Sequence, residues 1–231
     1  MMRRAGLIAS LLASTACATN PPVVRQQCNN PDAQLAAVLQ PYEELRAKGC
    51  PIDPGKPGID CERLRIEIAR LAVICPTHTP TLMANAVLAY DEKRPADAQQ
   101  YIDLILAQPR SFPDAAALRG QIAIEEGNLP FALRLLEQQI NLAPDQPGLH
   151  ETYAAALYLG GQLATARAQL ATAQALGAPR WRIAYHLGLI EEASGNRAQA
   201  VRDYTEAVSG NANFQPAAAR LKALQATAAP Q

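Results

Sequence analysis

Apolar residues of this 231-residue chain recur at the three- and four-residue spacing of one face of an α-helix. A first helical segment runs from Asp32 to Lys48 and a second from about Asp60 to Ile74. Between them lies PIDPGKPGID, a proline- and glycine-rich stretch that predicts a reversal of the chain. Residues 28–76 are therefore predicted to form an antiparallel helical hairpin.

From residue 79 onward the pattern repeats with a period of 34 residues. The turn position of successive copies is occupied by Gly127, Gly161 and Gly195. Seven residues before each glycine stands a small residue, in order Gly120, Ala154 and Gly188. Nine residues after each glycine stands a large one, in order Leu136, Leu170 and Tyr204. Such a period predicts helix pairs that stack into a solenoid.

Each recurring residue type has a physical reason. Glycine between two helices adopts the left-handed conformation that ends the first of them. Small residues opposite large ones let two helices cross closely. Proline is tolerated in the first turn of a helix, and five prolines occupy places predicted to begin helices: Pro80, Pro95, Pro113, Pro130 and Pro147.

The copy HLGLIEEASGNRAQAVRDYTEAV resembles the tetratricopeptide repeat (TPR), a 34-residue helix–turn–helix. The resemblance covers residues 79–214 and implies an all-α, TPR-like solenoid of antiparallel helix pairs. Its four repeats are predicted at 79–112, 113–146, 147–180 and 181–214. The hairpin at 28–76 is interpreted as a degenerate repeat in front of them, and 215–227 as a C-terminal capping helix.

Four cysteines lie within or beside the predicted hairpin. Antiparallel helices place the start of the first beside the end of the second, which predicts the disulfides Cys28–Cys75 and Cys50–Cys61. The alternative is a four-cysteine metal site, although the spacing contains no CxxC pair.

The N-terminus has the layout of a secretory signal over residues 1–17, with Arg3 and Arg4 before a short apolar stretch. The junction STAC resembles the lipobox of bacterial lipoproteins, which implies lipidation of Cys17, although Ser14 replaces the usual leucine. Residues 18–27 then form a tether. Because Ala18 follows the cysteine, the resemblance implies an outer-membrane anchor facing the periplasm. The alternative is cleavage after Ala18 and a soluble periplasmic or secreted protein.

Composition excludes several classes of function. The chain has 21 basic and 21 acidic residues, so no net positive charge attracts nucleic acid. Three histidines and the lack of a nucleophile motif, phosphate loop or metal spacing predict no enzyme, cofactor, metal or small-molecule substrate. The adjacent acids at Glu125–Glu126 and Glu191–Glu192 are interpreted as solvated helix surface.

The resemblance implies that first helices line a concave groove for a protein or peptide segment. The residues predicted to line it are Met83, Val87, Tyr90, Gln121, Ile124, Glu151, Tyr158, Leu159, Arg182, Tyr185 and Leu189. Lysines and asparagines of the family's carboxylate-binding variety are missing from these places, which argues against a chaperone-tail adaptor. An alternative is that Tyr90, Tyr158 and Tyr185 only pack between repeats.

The predicted function is a protein–protein interaction scaffold of the bacterial cell envelope. The resemblance to TPR lipoproteins suggests assistance in assembling a pilus, a secretin or an outer-membrane complex. A soluble adaptor is the second interpretation. A third is an enzyme or accessory that contacts cell-wall glycan, for which the single tryptophan, Trp181, offers little aromatic surface.

Overall fold

A computed structural model describes residues 28–50 and 60–226. Within them, eleven α-helices and no strand are formed. The helices are α1 (Pro31–Ala47), α2 (Cys61–Ile74), α3 (Thr79–Asp91), α4 (Pro95–Leu106), α5 (Pro113–Glu125), α6 (Leu129–Leu142), α7 (Pro147–Leu159), α8 (Leu163–Ala175), α9 (Arg180–Ala193), α10 (Arg197–Gly210) and α11 (Gln215–Ala226). The predicted signal segment, Cys17 and the tether lie outside the described residues.

The helices pack as consecutive pairs, each of which also contacts the next. The pairs are α1–α2, α3–α4, α5–α6, α7–α8 and α9–α10, and α11 packs on α10. A repeat buries its apolar face only against its neighbours, and the buried residues form five clusters along the stack. The predicted all-α, TPR-like solenoid is confirmed. In the described ranges no helix is long and apolar enough to cross a membrane.

The turns within repeats are left-handed, as their glycines predict. The backbone φ is 76° at Gly127, 74° at Gly161 and 79° at Gly195. The residue after each turn closes the helix end; the Asn128 amide, for example, donates to the Ala123 carbonyl at 2.8 Å. In the first repeat Lys93 takes the same conformation with φ 61°. The turn is therefore set by the packing of the helix pair even where glycine is missing.

The small residues at the helix crossings are required by close approach. A Cβ added to Gly188 would lie 2.6 Å from the Tyr204 ring, and one added to Gly120 would lie 2.9 Å from the Leu136 side chain. In the repeat between them, Ala154 and Leu170 are buried in one cluster. A small residue of the first helix therefore packs against a large one of the second, as the recurring small and large positions predict.

Both predicted disulfides are present in the N-terminal hairpin. Cys28 bonds to Cys75 and Cys50 to Cys61, with Cα–Cα distances of 5.2 and 5.7 Å. The four-cysteine metal site is therefore wrong, since no free thiolate is left to bind a metal. Ile68 of α2 and Leu88 of α3 share a buried cluster, so the hairpin stacks on the array as a repeat does.

An aromatic cluster closes the C-terminal end. The Phe214 ring centroid lies 5.0 Å from that of Trp181 and 4.9 Å from that of Tyr185. Below these rings Ala217 of α11 is buried against Ala184 and Ala207. The predicted capping helix thus covers the apolar side of the last repeat, and it is found over Gln215–Ala226.

The interpretation of Glu191 as solvated surface is wrong. Its side chain is only 9% exposed and pairs with Arg167 of α8, while Asn196 donates to it at 2.7 Å. The hydrogen bond from Arg167 lowers the pKa of Glu191 and outweighs the opposing effect of burial. One repeat period of 34 residues earlier, the position of Glu191 is occupied by Leu157 and that of Arg167 by Leu133. These two leucines pack in an apolar cluster. One helix junction therefore has an ion pair where the preceding junction has two leucines.

Candidate protein-binding face

The first helices of the repeats, α3, α5, α7 and α9, form one face of the solenoid. Helices α5 and α7 contact each other directly, as do α7 and α9, whereas each second helix packs mainly within its own pair and on the following first helix. Among the described residues no comparable packing joins the second helices to one another, so the first helices lie closer together, and the face lined by their outward side chains is called the concave face.

All eleven predicted groove residues lie on these four helices. Leu159 and Val87 are the most exposed apolar ones, at 56% and 38%. Glu151 is buried at 6%. The others, Met83, Tyr90, Gln121, Ile124, Tyr158, Arg182, Tyr185 and Leu189, are partly buried. The face therefore combines accessible apolar side chains with groups that also hold neighbouring repeats together.

An apolar channel, defined by Leu39, Met83, Val87, Phe112 and Pro113, occupies the N-terminal part of the face. It consists of a cavity of about 360 Å³ between α1 and α3 and one of about 240 Å³ between α3 and α5. Both cavities are lined by Pro80 and Met83 and therefore adjoin. The flexible thioether of Met83 adapts to differently shaped apolar partners.

The contribution of α1 to this channel was not predicted from sequence. Interpreting the hairpin as a degenerate repeat in front of the array assigned its helices no binding surface. In the structure Leu39 of α1 faces the cavity opposite Val87. The helical periodicity of α1 carries a signal for this placement, since Leu35, Leu39 and Tyr42 fall on one face of the helix.

A polar pocket of about 290 Å³ lies farther along, where α5, α7 and α9 meet. The polar residues that line it are Gln121, Glu151, Thr152, Arg182 and His186, and the smaller or apolar ones are Ala117, Leu118 and Ala155. It thus joins three of the predicted groove residues, Gln121, Glu151 and Arg182. The apolar channel and this polar pocket make the face chemically asymmetric.

Glu151 organises the polar pocket. It accepts hydrogen bonds from Nε of Arg182 at 2.7 Å and from Nη2 of the same guanidinium, and Nε2 of His186 lies 3.4 Å from its Oε1. Burial alone would raise the pKa of Glu151, but hydrogen bonds from His186 and Arg182 outweigh it, so that its pKa is lowered. The carboxylate is therefore ionised at neutral pH and fixes the position of Arg182.

His186 is a groove residue that sequence reasoning missed. His150 is buried and bonds to Gln169 and to the Pro144 carbonyl. His186, however, stands four residues after Arg182 on one helix face, a spacing that could have identified it.

The three predicted contact tyrosines also have structural partners. Tyr90 donates its hydroxyl hydrogen to Glu125, which also accepts from Gln121 at 2.9 Å. Burial and that bond raise the pKa of Tyr90 to about 12. Tyr185 stacks edge-on against Phe214, and Tyr158 packs on the cluster of the third and fourth repeats. Packing is thus one role of these rings, and their contact with a partner stays a prediction.

Within residues 28–50 and 60–226, no group of three histidine, cysteine, aspartate or glutamate side chains is placed to hold a metal ion. The carboxylates of the concave face are instead used inside the protein. Glu192, for example, accepts from Tyr204 at 2.7 Å and from Arg220 at 3.2 Å. Acidic side chains of this face are thus engaged in hydrogen bonds and ion pairs within the protein.

No protein-family model and no curated protein matches the sequence. Solved structures do match. A TPR protein from Parabacteroides merdae is 20% identical, with a TM-score of 0.64 over 85% of this chain and 72% of that one. A thermophilic TPR protein of Thermus thermophilus is 16% identical, with a TM-score of 0.66 over 85% of this chain and 99% of that one. PilF of Pseudomonas aeruginosa is 14% identical, with a TM-score of 0.60 over 86% of this chain and 90% of that one. The chain has the tetratricopeptide-repeat fold.

Proposed function

We propose that this protein is a non-enzymatic scaffold whose concave face holds a segment of another protein. The apolar channel carries this proposal. Met83 of α3 is partly buried and Val87 is 38% exposed, whereas Leu82, Ala86 and Leu88 of the same helix are buried. Accessible apolar surface in a concave site is typical of a binding surface, because its burial by a partner is favourable.

The proposed location is the bacterial cell envelope, with Cys17 lipidated in the outer membrane and the repeats in the periplasm. Two kinds of observation support it. The N-terminal sequence has a signal layout ending at a lipobox-like cysteine. The two disulfides suit an oxidising compartment outside the cytoplasm. A scaffold of this type would assist the assembly of a pilus, a secretin or an outer-membrane complex.

The binding face is tested by photo-crosslinking in the native host. A benzoyl-phenylalanine is placed at Val87 in the apolar channel or at Leu159 at the end of α7. Leu142 of α6, exposed at 67% on a second helix, is the matched control position. We expect one envelope protein to be captured from both concave positions and not from Leu142, with mass spectrometry identifying the partner and the crosslinked segment.

A charged residue inside the channel gives the second test. Met83→Glu places a carboxylate in the apolar channel and should abolish the Val87 adduct while the protein remains folded. Equal capture from Leu142 and Val87, or an adduct unaffected by Met83→Glu, would show that the concave face is not the binding surface.

Localisation is tested separately with Cys17→Ser. Lipidation predicts that the wild-type chain partitions with the outer membrane and that the variant does not. A wild-type chain that is soluble in the periplasm would favour the alternative cleavage after Ala18 and leave the scaffold proposal unchanged.

A further inference from the structure

The polar pocket contains an arginine whose geometry is fixed before any partner arrives. Glu151 is 7% exposed at its side chain, whereas Arg182 is 41% exposed. The carboxylate binds Nε and Nη2 of the guanidinium in a bidentate pair, whose N–H groups lie in the guanidinium plane. In-plane pairing leaves the flat faces of the guanidinium without a hydrogen-bonding role and available for stacking.

The electrostatics of the pocket favour an uncharged ligand group. Arg182 is already neutralised by Glu151, and Glu125 of α5 accepts bonds from Tyr90 and Gln121. A further carboxylate would lie close to Glu151, which already uses Arg182 and His186 as its partners. A further cation would face Arg182.

The remaining lining is small and apolar. Ala117, Leu118 and Ala155 leave room beside the guanidinium, and the cavity of about 290 Å³ is just below the usual range of sites for whole small ligands, which starts near ~300 Å³. Such a volume suits one large side chain. Gln121 and Thr152 provide polar atoms at its edge.

From this geometry we propose that the polar pocket receives an aromatic side chain of the partner segment, stacked on the guanidinium of Arg182. Glu151 is a positioning residue that holds Arg182 flat. A tyrosine ring fits best, because its apolar body packs on the alanines and its hydroxyl reaches the polar edge. This inference rests on the proposed function and adds the chemistry of one contact residue.

The test uses the full-length chain, isotopically labelled for NMR, and p-cresol as the probe for a tyrosine side chain. We expect saturable shifts of the Arg182 Nε–Hε signal and of the Ala117 and Ala155 methyl signals. The saturated analogue 4-methylcyclohexanol has a similar shape without the ring and should bind at least roughly threefold more weakly, because it lacks the cation–π attraction.

Two variants separate stacking from simple filling of the pocket. Arg182→Lys keeps the charge beside Glu151 but removes the planar face, and should weaken p-cresol binding roughly three- to tenfold. Arg180→Lys is the matched control, since Arg180 is 77% exposed and pairs with Glu206. Ala155→Leu fills the pocket without touching the ion pair and should abolish binding, with an unchanged melting curve as proof of folding.

Equal binding of p-cresol and 4-methylcyclohexanol would overturn the proposal, as would the absence of saturable shifts. Sodium acetate is the third probe. If acetate shifts Arg182 at lower concentration than p-cresol, the pocket is an anion site and the proposal is wrong. These outcomes are independent of the scaffold proposal, because photo-crosslinking at Val87 and Leu159 tests the apolar contacts and does not use the polar pocket.

Discussion

At the scale of single residues, the crossing of α9 and α10 depends on the missing side chain of Gly188. Its position is so close to Tyr204 that a Cβ would lie 2.6 Å from the ring. The ring itself is buried and held by the bond from its hydroxyl to Glu192 at 2.7 Å. It can therefore move away only by losing packing and a hydrogen bond.

Gly188→Ala is expected to lower the free energy of unfolding by about 1–3 kcal/mol, the usual cost of overpacking a core. Urea unfolding followed by circular dichroism measures it. Gly148→Ala is the control, since no atom lies within 4 Å of the added Cβ, and it should be neutral or slightly stabilising.

The same site offers a compensating substitution. Ala154 and Leu170 form the equivalent pair in the preceding repeat. The double variant Gly188→Ala/Tyr204→Leu should therefore lose less free energy of unfolding than the sum of the losses in the two single variants. Strict additivity in this double-mutant cycle would show that the alanine is not destabilising through contact with Tyr204.

At the scale of elements, the junction of α8 and α9 differs from that of α6 and α7 by the pair Arg167–Glu191. Breaking a buried pair from one side leaves a charge without a partner, whereas replacing both members by apolar residues of similar size is often neutral or stabilising. Arg167 is 43% exposed, so its own desolvation is modest, and the buried carboxylate dominates the junction.

Arg167→Leu is expected to destabilise the array, and Arg167→Leu/Glu191→Leu to recover most of the loss by copying the contact of Leu133 with Leu157. Thermal melting of the two variants and the wild type decides this. A double variant that is less stable than the single one would mean that the junction requires the ion pair.

The Arg167–Glu191 pair also predicts that the stability of the protein depends on pH. The pKa of Glu191 is lowered in the folded protein from its usual value of 4.5. Its stabilisation is therefore complete above that value and is lost as the pH falls through the folded pKa. Glu151 acts in the same direction. Between pH 5 and pH 3, unfolding midpoints in urea should decline less in Glu151→Gln than in the wild type.

At the scale of the whole molecule, the disulfides stabilise the end of the array that carries the apolar channel. The outer bridge joins cysteines 47 residues apart and the inner bridge cysteines 11 apart. Constraining the unfolded chain over these loops is worth about 4 and about 3 kcal/mol in the chain-entropy model.

Replacing Cys28 and Cys75 by serine should therefore lower the free energy of unfolding more than replacing Cys50 and Cys61. Urea unfolding of the two double variants compares them. The intact chain should also resist iodoacetamide at these four positions until it is reduced. Rapid labelling of all four without reductant would contradict both bridges.

Features that depend on contacts within one repeat could be predicted from the sequence, whereas contacts between repeats could not. Turn glycines, first-turn prolines and crossing residues follow from contacts within one repeat and recur every 34 residues, so each copy supports the interpretation of the others. The roles of Glu191 and His186 were not predicted, because these residues do not follow the repeat pattern. Their partners, Arg167 and Glu151, belong to the preceding repeat, and no periodic signal connects them.

The sequence by itself thus determined the helix pairs, their turns, their crossings and the disulfide pairing, because local backbone preferences and a fixed period specify these features. Only the tertiary structure decided how the concave face is divided. Met83 and Leu39 are 44 positions apart in the chain and line the same cavity. Arg182 and Glu151 are 31 positions apart and form a hydrogen bond. The stacking of neighbouring helix pairs brings such residues together.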